Sequence, residues 1–295
     1  MTEVDTYRLL DGKRASSAIR EQIKIEATLV TKHRGRAPHL AAVLVGDDGP
    51  SQTYVASKVK ACESVGFKST LIRKPASTTE AELLELVALM NLDPDLDGFI
   101  VQLPLPKHID EQRITLAIDP AKDVDGFHPQ NLGRMMIGLP CYLPATPNGI
   151  VELLKFHGIA TEGKHCVVVG RSNIVGTPIS ILMSRNADPG NCTVTLTHSR
   201  TQDLPFITRQ ADILIVAIGK MGFITGDMVK EGAVVVDVGI QKVPDSSRKS
   251  GYRFVGDVNF GEVAPKCSWI TPVPGGVGPM TVTSLLMNTL RAARG

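Results

Sequence analysis

The amino-acid sequence predicts an α/β fold of two α/β domains, with a cleft between them and connecting helices that join them. Short continuous runs of Val, Ile and Leu alternate with longer segments of helical periodicity, and this alternation occurs twice along the chain. Continuous apolar runs of this kind are typical of parallel strands that helices cover on both faces. At 295 residues, the chain is long enough to bury two such cores.

The strand and helix segments follow each other in the order expected for α/β units. In the first half, strands are predicted at 40–45, 69–72 and 98–102, and helices at 12–33, 52–65 and 79–91. In the second half, strands are predicted at 166–169, 193–197, 213–218 and 233–238, and helices at 148–157, 175–186 and 279–293.

Two turn-rich stretches mark the predicted domain boundaries. The first, LPATPNG, precedes a helical pattern in which Thr146 can cap the helix and Pro147 suits its first turn. The second, TPVPGGVGPM, leads to Pro279, where a final helix would begin. We therefore predict a first domain over 1–146, on which the last helix (279–295) packs back, and a second domain over 147–278. A cleft between domains is a common position for a small-molecule site.

The composition excludes several classes of partner. A net charge of +2 gives no reason to expect nucleic acid or an anionic membrane surface as a partner. The first residues, MTEVDTYRLLDGKR, contain acids and no apolar run, unlike a secretory signal. No stretch approaches the roughly 20 apolar residues that a membrane span needs.

The cysteines and histidines predict a cytoplasmic protein without a metal site. The five cysteines are odd in number, scattered and never spaced as C-x-x-C, which suits a reducing compartment and argues against disulfides and structural zinc. The seven histidines show no metal-ligand spacing. The cysteines are Cys62, Cys141, Cys166, Cys192 and Cys267.

The segment CVVVGRSNIVGTP predicts a strand, a tight turn and a helix, as in a Rossmann-like dinucleotide-binding domain. Gly170 ends the strand and Gly176 lies at the start of the helix, where such a domain binds a pyrophosphate. Ser172 stands where the second glycine of the usual pattern would be, so a purely structural turn is the alternative.

The end of the next strand favours NADP over NAD. An NAD-selective domain has an acidic residue there, but this strand ends in His-Ser-Arg-Thr at 198–201. Arg171, Ser199 and Arg200 would suit a 2′-phosphate, because Arg forms charge-assisted bonds to phosphate. The alternative is that Arg200 simply faces solvent.

Three segments of the first half carry candidate catalytic residues. Tyr54 and Lys58, four residues apart, would share one face of a helix, although amphipathic patterning alone also produces such pairs. Gln102 ends a buried strand, at the edge where parallel sheets bind ligands. Asp123 and Asp125 lie in a loop, where an Asp bonded to its own backbone is the alternative, more so for Asp123.

A Tyr-x-x-x-Lys pair in a dinucleotide-binding protein also suggests a short-chain dehydrogenase. In that class the cofactor motif precedes the pair within the same domain. Here the pair lies about a hundred residues before Gly170, and this reversed order argues strongly against that class.

Taken together, six segments resemble those of one family, the bifunctional methylenetetrahydrofolate dehydrogenase/methenyltetrahydrofolate cyclohydrolases. The resemblance extends over nearly the whole chain. The segments are YVASK at 54–58, GFIVQLPLP at 98–106, DVDGF at 123–127, GRSNIVG at 170–176, HSRT at 198–201 and PVPGGVGPMT at 272–281.

The resemblance implies a two-domain enzyme, usually a homodimer, that binds folate in its cleft. It implies that Lys58 is the key catalytic residue, that Tyr54 packs along the folate, that Gln102 contacts Lys58 and that Asp125 holds the pterin edge. It implies that the folate pocket is lined by Pro274, Gly275 and Gly276. It also implies NADP contacts at Gly170, Arg171, Ser172, Ser199 and Ile240.

The implied function is oxidation of 5,10-methylenetetrahydrofolate with NADP, followed by hydrolysis of the methenyl product to 10-formyltetrahydrofolate. This places the chain in one-carbon metabolism and so in purine, methionine and histidine biosynthesis. Removal of hydride needs alignment more than acid–base help, whereas hydrolysis needs a base at neutral pH. Gln102 can hold the lysine nitrogen without adding a negative charge.

Three other functions are compatible with parts of the pattern. A dehydrogenase without hydrolase activity would have little need for both Lys58 and Gln102. A non-catalytic nucleotide-binding regulator would not need the Tyr–Lys–Gln–Asp set. A two-domain oxidoreductase for another small acid is disfavoured by the 274–278 loop and the Asp125 segment, which suit a flat pterin.

Overall fold

The computed structural model describes residues 7–248 and 251–295, which form two compact units. One unit, here the three-strand unit, contains residues 17–145 and 282–295. The other, here the six-strand unit, contains residues 7–16 and 146–281.

The elements follow one another along the chain as strands β1 to β11 and helices α1 to α10, with short 3₁₀ turns at Gly226–Met228 and Ala264–Lys266. Their order is β1 (Arg8–Leu9), α1 (Gly12–Arg34), β2 (His39–Val45), α2 (Gly49–Ser64), β3 (Lys68–Lys74), α3 (Glu80–Leu92), β4 (Gly98–Val101), α4 (Glu111–Ala117), α5 (Pro129–Met136), α6 (Ala145–Phe156), β5 (His165–Val169), α7 (Gly176–Ser184), β6 (Thr193–Thr197), α8 (Leu204–Thr208), β7 (Ile213–Val216), β8 (Val234–Asp237), β9 (Gln241–Pro244), β10 (Tyr252–Val255), α9 (Phe260–Val263), β11 (Trp269–Ile270) and α10 (Val277–Arg294).

The three-strand unit is built on a parallel sheet in the order β3-β2-β4. Every residue of β2 is buried, because apolar clusters cover both of its faces. One cluster packs Leu40, Ala42 and Leu44 with side chains of α1, α2 and the last helix, α10. The other packs Ala41 and Val43 with side chains of α3 and α4. This arrangement explains the continuous apolar run that predicts the strand.

Local signals define where the helices of this unit begin. At α3, the Thr79 hydroxyl accepts from the Glu82 amide, and the Glu82 carboxylate accepts from the Thr79 amide. This capping box pairs two amides that the helix itself leaves unbonded. At α2, the Asp48 carboxylate accepts from the amide and hydroxyl of Ser51, which lowers the pKa of Asp48.

The six-strand unit has a parallel sheet in the order β1-β11-β8-β7-β5-β6. Its inner strands β5, β7 and β8 are almost wholly buried, and their Val, Leu and Ile side chains form the core. Strands β9 and β10 form a separate antiparallel hairpin. The chain leaves β5 for β6 on one side and then crosses to β7 on the other, as in doubly wound nucleotide-binding sheets.

The predicted strands and long helices are present, with ends displaced by a few residues. The prediction that Thr146 caps a helix is wrong, because α6 begins one residue earlier and the Thr146 hydroxyl bonds that of Thr281. The last helix likewise begins at Val277, two residues before Pro279. The sequence analysis did not predict β1, the β9–β10 hairpin, β11 or the short helices α4, α5, α8 and α9.

The two units divide the chain differently from the predicted 1–146 and 147–278 domains. Residues 7–16 belong to the six-strand unit because β1 pairs in parallel with β11.

The segment 188–191, predicted as a surface turn, is partly buried and bonded to another segment. Pro189 and Gly190 are buried, and the Gly190 amide donates to the Thr161 hydroxyl at 2.9 Å.

All five cysteines are free thiols and buried. Burial raises the pKa of both Cys62 and Cys267 to about 12. Within the part of the chain that the structure describes, no helix is long and apolar enough to cross a membrane.

Candidate active site and dinucleotide site

The carboxyl edge of the three-strand sheet is a topological switch point, where the chain has passed from β2 to β3 on one side and then to β4 on the other. Open α/β sheets bind ligands outside such an edge. Gly46 follows β2 with a φ of +85°, and α2 begins three residues later. Gln102 follows β4, and its amide donates to Val43 O at 2.9 Å. The topology therefore brings α2 and Gln102 to one edge.

Lys58 lies on α2 and is buried, with a residue exposure of 7%. Its Nζ donates to Gln102 Oε1 at 3.0 Å. Tyr54, one turn earlier on the same face, is partly buried, and desolvation raises the pKa of its phenol. The phenol is therefore neutral and can pack against a flat ring.

The Gln102 side chain is held in one orientation. Its Nε2 donates to Leu103 O at 2.6 Å, so its Oε1 is left to accept from Lys58. The peptide bond between Leu103 and Pro104 is cis. The chain thus presents an uncharged acceptor to the lysine.

Asp125 lies in the segment that follows α4 and runs beside β4. The Phe99 amide donates to Lys122 O at 3.0 Å, and the Ala145 amide donates to Asp125 O at 3.2 Å. The carboxylate itself accepts no hydrogen bond from any residue that the structure describes. Desolvation by burial raises the pKa of Asp125, and the Lys58 charge lowers it in part. Asp125 is therefore an acceptor near Lys58 without a hydrogen-bond donor among the described residues.

Gly126 allows the turn that presents Asp125. Its φ is +75°, and a Cβ on it would lie 2.6 Å from the carbonyl carbon of Leu143. Asn288 of α10 fastens the same turn, because its Nδ2 donates to Val124 O and to Leu143 O, both at 2.8 Å. The sequence analysis did not single out Asn288, since an Asn in a final amphipathic helix gives no signal of its own.

Asp123 has the local structural role that was the alternative for it. It is 2% exposed, and its Oδ2 accepts from the His128 amide at 2.7 Å and from Asn131 Nδ2 at 3.0 Å. Burial raises its pKa to about 6, against the lowering effect of these bonds. Asp123 and Asp125 are thus two residues apart but differ in environment, because among the described residues the Asp123 carboxylate has hydrogen-bond donors and the Asp125 carboxylate has none.

A second group of predicted residues lies at the carboxyl edge of the six-strand sheet, after β5. Gly170 has a φ of +114°, and a Cβ on it would lie 2.2 Å from Ala217 O. A Cβ on Gly176 would lie 1.9 Å from Gly170 O, so both glycines are needed for the close turn. The Ser172 hydroxyl accepts from the amides of Val175 and Gly176 at 3.1 and 3.3 Å. This close turn stands at the N-terminal end of α7, where Rossmann-type domains bind a pyrophosphate.

The polar residues expected at the 2′-phosphate are exposed to solvent. Arg171, Ser199 and Arg200 are all exposed, and neither guanidinium forms an ion pair with a described residue. The Gly170 amide donates to Thr197 O at 3.0 Å, so the turns after β5 and β6 adjoin. Ile240, after β8, is 42% exposed and offers an apolar surface at the same edge of the sheet.

The Pro274–Gly276 segment forms a tight loop within the six-strand unit. The Val273–Pro274 peptide is cis, and Gly275 has a φ of +117°. The Gly276 amide donates to Pro272 O at 2.8 Å, and a Cβ on Gly276 would lie 2.6 Å from Thr271 Cβ. The positive φ therefore requires glycine at 275, and the close contact with Thr271 requires it at 276.

The fold and these residues define an α/β oxidoreductase with a Rossmann-type dinucleotide domain and a further catalytic centre. Two family models match the chain: the catalytic domain of tetrahydrofolate dehydrogenase/cyclohydrolase over residues 10–125, and its NAD(P)-binding domain over residues 144–295. The chain belongs to this family of bifunctional dehydrogenase/cyclohydrolases.

Similar proteins support the same assignment over nearly their whole length. The bifunctional protein FolD of Cytophaga hutchinsonii is 65% identical over 286 residues, which cover 97% of this chain and 99% of that protein. The bifunctional protein FolD of Porphyromonas gingivalis is 62% identical over 290 residues, which cover 98% of this chain and 98% of that protein. Among solved structures, FolD from Campylobacter jejuni is 47% identical and has a TM-score of 0.91, and the match covers 98% of this chain and 99% of that one. The Trypanosoma brucei enzyme, solved with NADP and an inhibitor, is 38% identical and has a TM-score of 0.92, and the match covers 98% of this chain and 97% of that one.

The chain therefore has two activities of one-carbon metabolism. It oxidises 5,10-methylenetetrahydrofolate to the 5,10-methenyl form with NADP, and it hydrolyses that product to 10-formyltetrahydrofolate. The predicted α/β class, family, cofactor and pair of activities are confirmed. A dehydrogenase without hydrolase activity and a non-catalytic regulator find no support in these relatives.

Proposed function

We propose that Lys58 carries out the proton transfers of the hydrolysis, that Gln102 holds its amine, and that Asp125 binds the pterin edge of the folate. The observation that carries this proposal is the hydrogen bond of 3.0 Å between the buried Lys58 Nζ and Gln102 Oε1, beside a carboxylate without partners. A buried amine with a single neutral acceptor retains donor and acceptor capacity for a substrate.

The first step needs orientation more than proton transfer. NADP, when bound, accepts the hydride of the methylene carbon. The adjacent folate nitrogens stabilise the cation that remains, so the residues need only hold the two reactants close and aligned. Asp125 can accept from the ring N–H and the exocyclic amine of the pterin together, and Tyr54 packs along the ring.

The second step needs a base. Water attacks the cationic methenyl carbon and loses a proton, which Lys58 in its amine form accepts. As the bond to one folate nitrogen breaks, Lys58 returns a proton to that nitrogen, and the hydroxyl proton leaves as the formyl group forms. One proton is released overall. Gln102 supports this cycle because its amide oxygen adds no negative charge that would hold the ammonium form.

The remaining site residues are proposed as binding groups. Gly170, Arg171, Ser172, Ser199 and Ile240 would contact NADP, with Arg171 and Ser199 at its 2′-phosphate. Pro274, Gly275 and Gly276 would contact the folate. The close turn around Gly170 and the exposed guanidinium group of Arg171 support the first set, because such a turn at a helix N-terminus binds a pyrophosphate and a guanidinium group can pair with phosphate.

The test replaces Lys58 and a matched neighbour. Lys58→Met is expected to lower hydrolysis of the methenyl substrate by about 10²- to 10⁴-fold, the usual contribution of general acid–base catalysis, while dehydrogenation falls much less. Lys60→Met is the control, since Lys60 is exposed on the same helix. Each step is assayed alone by absorbance. Equal loss of both activities in Lys58→Met, with folate affinity intact, would contradict the assignment.

We also propose functions for the two parts of the chain: the predicted 1–146 region with the last helix binds folate, and the 147–278 region binds NADP. Asp125→Ala supplies the test. It should weaken folate binding, measured by calorimetry, and leave NADP binding intact. A folate affinity equal to that of the unaltered chain would contradict the role of Asp125.

We propose that the protein is a homodimer. Exposed apolar side chains cluster at Met136, Ile137 and Leu139, with exposures of 70%, 71% and 49%. Such clusters commonly mark association surfaces. Light scattering on a sizing column should give twice 31.7 kDa, and a monomer at micromolar concentration would contradict the proposal.

We further propose a cytoplasmic location and a role in purine, methionine and histidine biosynthesis. The five free, buried thiols support a reducing compartment. Fractionation of the source cells tests the location. Deletion of the gene tests the role, because growth without purines, methionine and histidine would then contradict it.

A further inference from the structure

Two buried carboxylates at the carboxyl edge of the six-strand sheet have no part in the chemistry described above. Asp237 ends β8, and Asp257 lies two residues after β10. Their exposures are 4% and 0%, and neither forms an ion pair with a residue that the structure describes. A buried carboxylate needs hydrogen bonds, so the bonds that each accepts indicate its role.

Asp257 holds the turn that follows β7. Its Oδ2 accepts from the amides of two consecutive residues, Ile218 at 2.8 Å and Gly219 at 2.9 Å. Gly219 has a φ of +68°, in the left-handed region. One buried oxygen atom thus fixes a turn whose backbone conformation requires glycine.

Asp237 holds Asp257 in turn. Its Oδ1 accepts from the Gly239 and Asp257 amides, both at 2.9 Å, and its Oδ2 accepts from the Val258 amide at 3.0 Å. A Cβ on Gly256 would lie 1.8 Å from Asp237 Oδ2, and one on Gly239 would lie 2.4 Å from Asp257 Cγ. The two carboxylates therefore lock three neighbouring turns together, with no space for another side chain.

The turn that Asp257 holds adjoins the Gly170 turn. The Ala217 amide donates to Val169 O at 2.8 Å, and a Cβ on Gly170 would reach Ala217 O. Strands β5 and β7 are neighbours at the switch point of the sheet, where a nucleotide lies between the turns that follow them. Movement of Ile218 and Gly219 would therefore displace the Ala217 backbone that packs against the Gly170 turn.

We propose that Asp257 is a positioning residue for NADP: its carboxylate holds the Ile218–Gly219 turn so that the Ala217 backbone keeps the adjoining Gly170 turn in place for the dinucleotide, and Asp237 holds Asp257. This inference rests on the proposed location of NADP at the Gly170–Ser172 turn. It assigns to Asp257 no contact with the folate and no role in hydrolysis.

The test uses Asp257→Ala, Asp257→Asn and the control Asp212→Asn in the full chain. Asp212 also accepts from a backbone amide, that of His165 at 2.9 Å, but at the opposite edge of the sheet. Asp257→Ala is expected to raise the Kd for NADP, measured by calorimetry, about tenfold or more, because two consecutive backbone amides lose their acceptor and the turn loses its anchor. Asp257→Asn keeps one acceptor oxygen and should give a smaller increase. Asp212→Asn should leave the Kd for NADP unchanged.

Hydrolysis of the methenyl substrate without NADP separates positioning from general loss of structure. In the Asp257 variants the KM for NADP should rise far more than the KM for folate, and hydrolysis without NADP should stay within about threefold, well under the NADP effect. A fall in hydrolysis parallel to the loss of NADP binding would overturn the proposal, as would an NADP affinity equal to that of Asp212→Asn. If Asp257→Ala does not fold, Asp257→Asn decides by the same criteria.

Arg171→Ala distinguishes failure of this inference from failure of the proposed NADP site. A raised Kd in Arg171→Ala with none in the Asp257 variants would overturn the positioning role alone. An unchanged Kd in Arg171→Ala would overturn the proposed contact of Arg171, whereas a raised Kd in the Asp257 variants would still support the assignment of the Ile218–Gly219 turn to the cofactor.

Discussion

Replacement of Gln102 by glutamate tests whether the proposed role of Lys58 requires an uncharged neighbour. Gln102→Glu keeps the size and nearly the shape of the side chain but places a carboxylate where Oε1 now accepts from Lys58 Nζ at 3.0 Å. The variant would convert a neutral hydrogen bond into a partly buried ion pair. The ammonium form of Lys58 would then be stabilised, and the amine form that accepts a proton from water would become scarcer.

The size of the expected loss of hydrolysis follows from the distance between Lys58 Nζ and the new carboxylate. At an effective dielectric constant of about 20, two unit charges 3 Å apart attract each other by roughly 5 kcal/mol. Loss of hydration at the new carboxylate offsets part of this attraction, and we take a net effect of about 2 to 3 kcal/mol. That energy corresponds to roughly a 30- to 150-fold loss of hydrolysis at neutral pH.

The assay follows both steps separately as a function of pH. Hydrolysis should become slower at neutral pH and recover as pH rises, because deprotonation of the lysine then requires more alkaline solution. Dehydrogenation should change little, since a negative charge does not oppose a step that forms a cation. Gln112→Glu, an exposed change of the same charge in the same unit, controls for net charge. Hydrolysis at the rate of the unaltered chain, with the same pH profile, would refute the reasoning.

Two further substitutions test the loop that carries Asp125. Gly126→Ala should lower the free energy of unfolding by about 2 kcal/mol or more, since its φ is +75° and the Cβ would meet the Leu143 backbone, and should weaken folate binding. Gly133→Ala, with open space around it and no positive φ, is its control in urea unfolding, and equal stability of the two variants would contradict the reasoning. Asp123→Asn should stabilise the protein relative to the unaltered chain more at pH 7 than at pH 4. The folded pKa of about 6 lies above the ordinary value of 3.8, so the cost of ionisation grows between these two pH values, is complete above pH 6 and is lost as pH falls. The difference in free energy of unfolding between Asp123→Asn and the unaltered chain should change by about 2 kcal/mol between pH 4 and pH 7. A difference in unfolding free energy that does not vary with pH would show that Asp123 titrates normally.

The sequence predicts the parts of the fold that depend on local pattern. Strand β2 reads as LAAVLV because helices cover both of its faces, and the strand ends at the carboxyl edge that a ligand uses. The spacing of Tyr54 and Lys58 likewise predicts their common helix face. These features need only the periodicity of neighbouring residues.

Features that depend on distant pairing are not visible in the sequence. Strand β1 has two residues, and its place beside β11 follows from a partner about 260 positions later. The roles of Asp237 and Asp257 depend on amides from three turns that the fold brings together. One signal was available: Asp237 is an acid at the end of the otherwise apolar run AVVVDV. Its partner, Asp257, follows the unpredicted β9–β10 hairpin and has no such signal.

The packing of α10 has a consequence for the order of folding during synthesis. Leu285, Leu286 and Leu290 of this last helix lie in the same core cluster as Leu40 and Leu44 of β2. Strand β2 thus lacks part of its core until α10 has left the ribosome. Domains usually fold in order from the N-terminus as they emerge. Here the unit that holds Lys58 can complete its core only after residues 282–295 have been synthesised, so truncation within α10 would leave Lys58 in an incompletely packed unit.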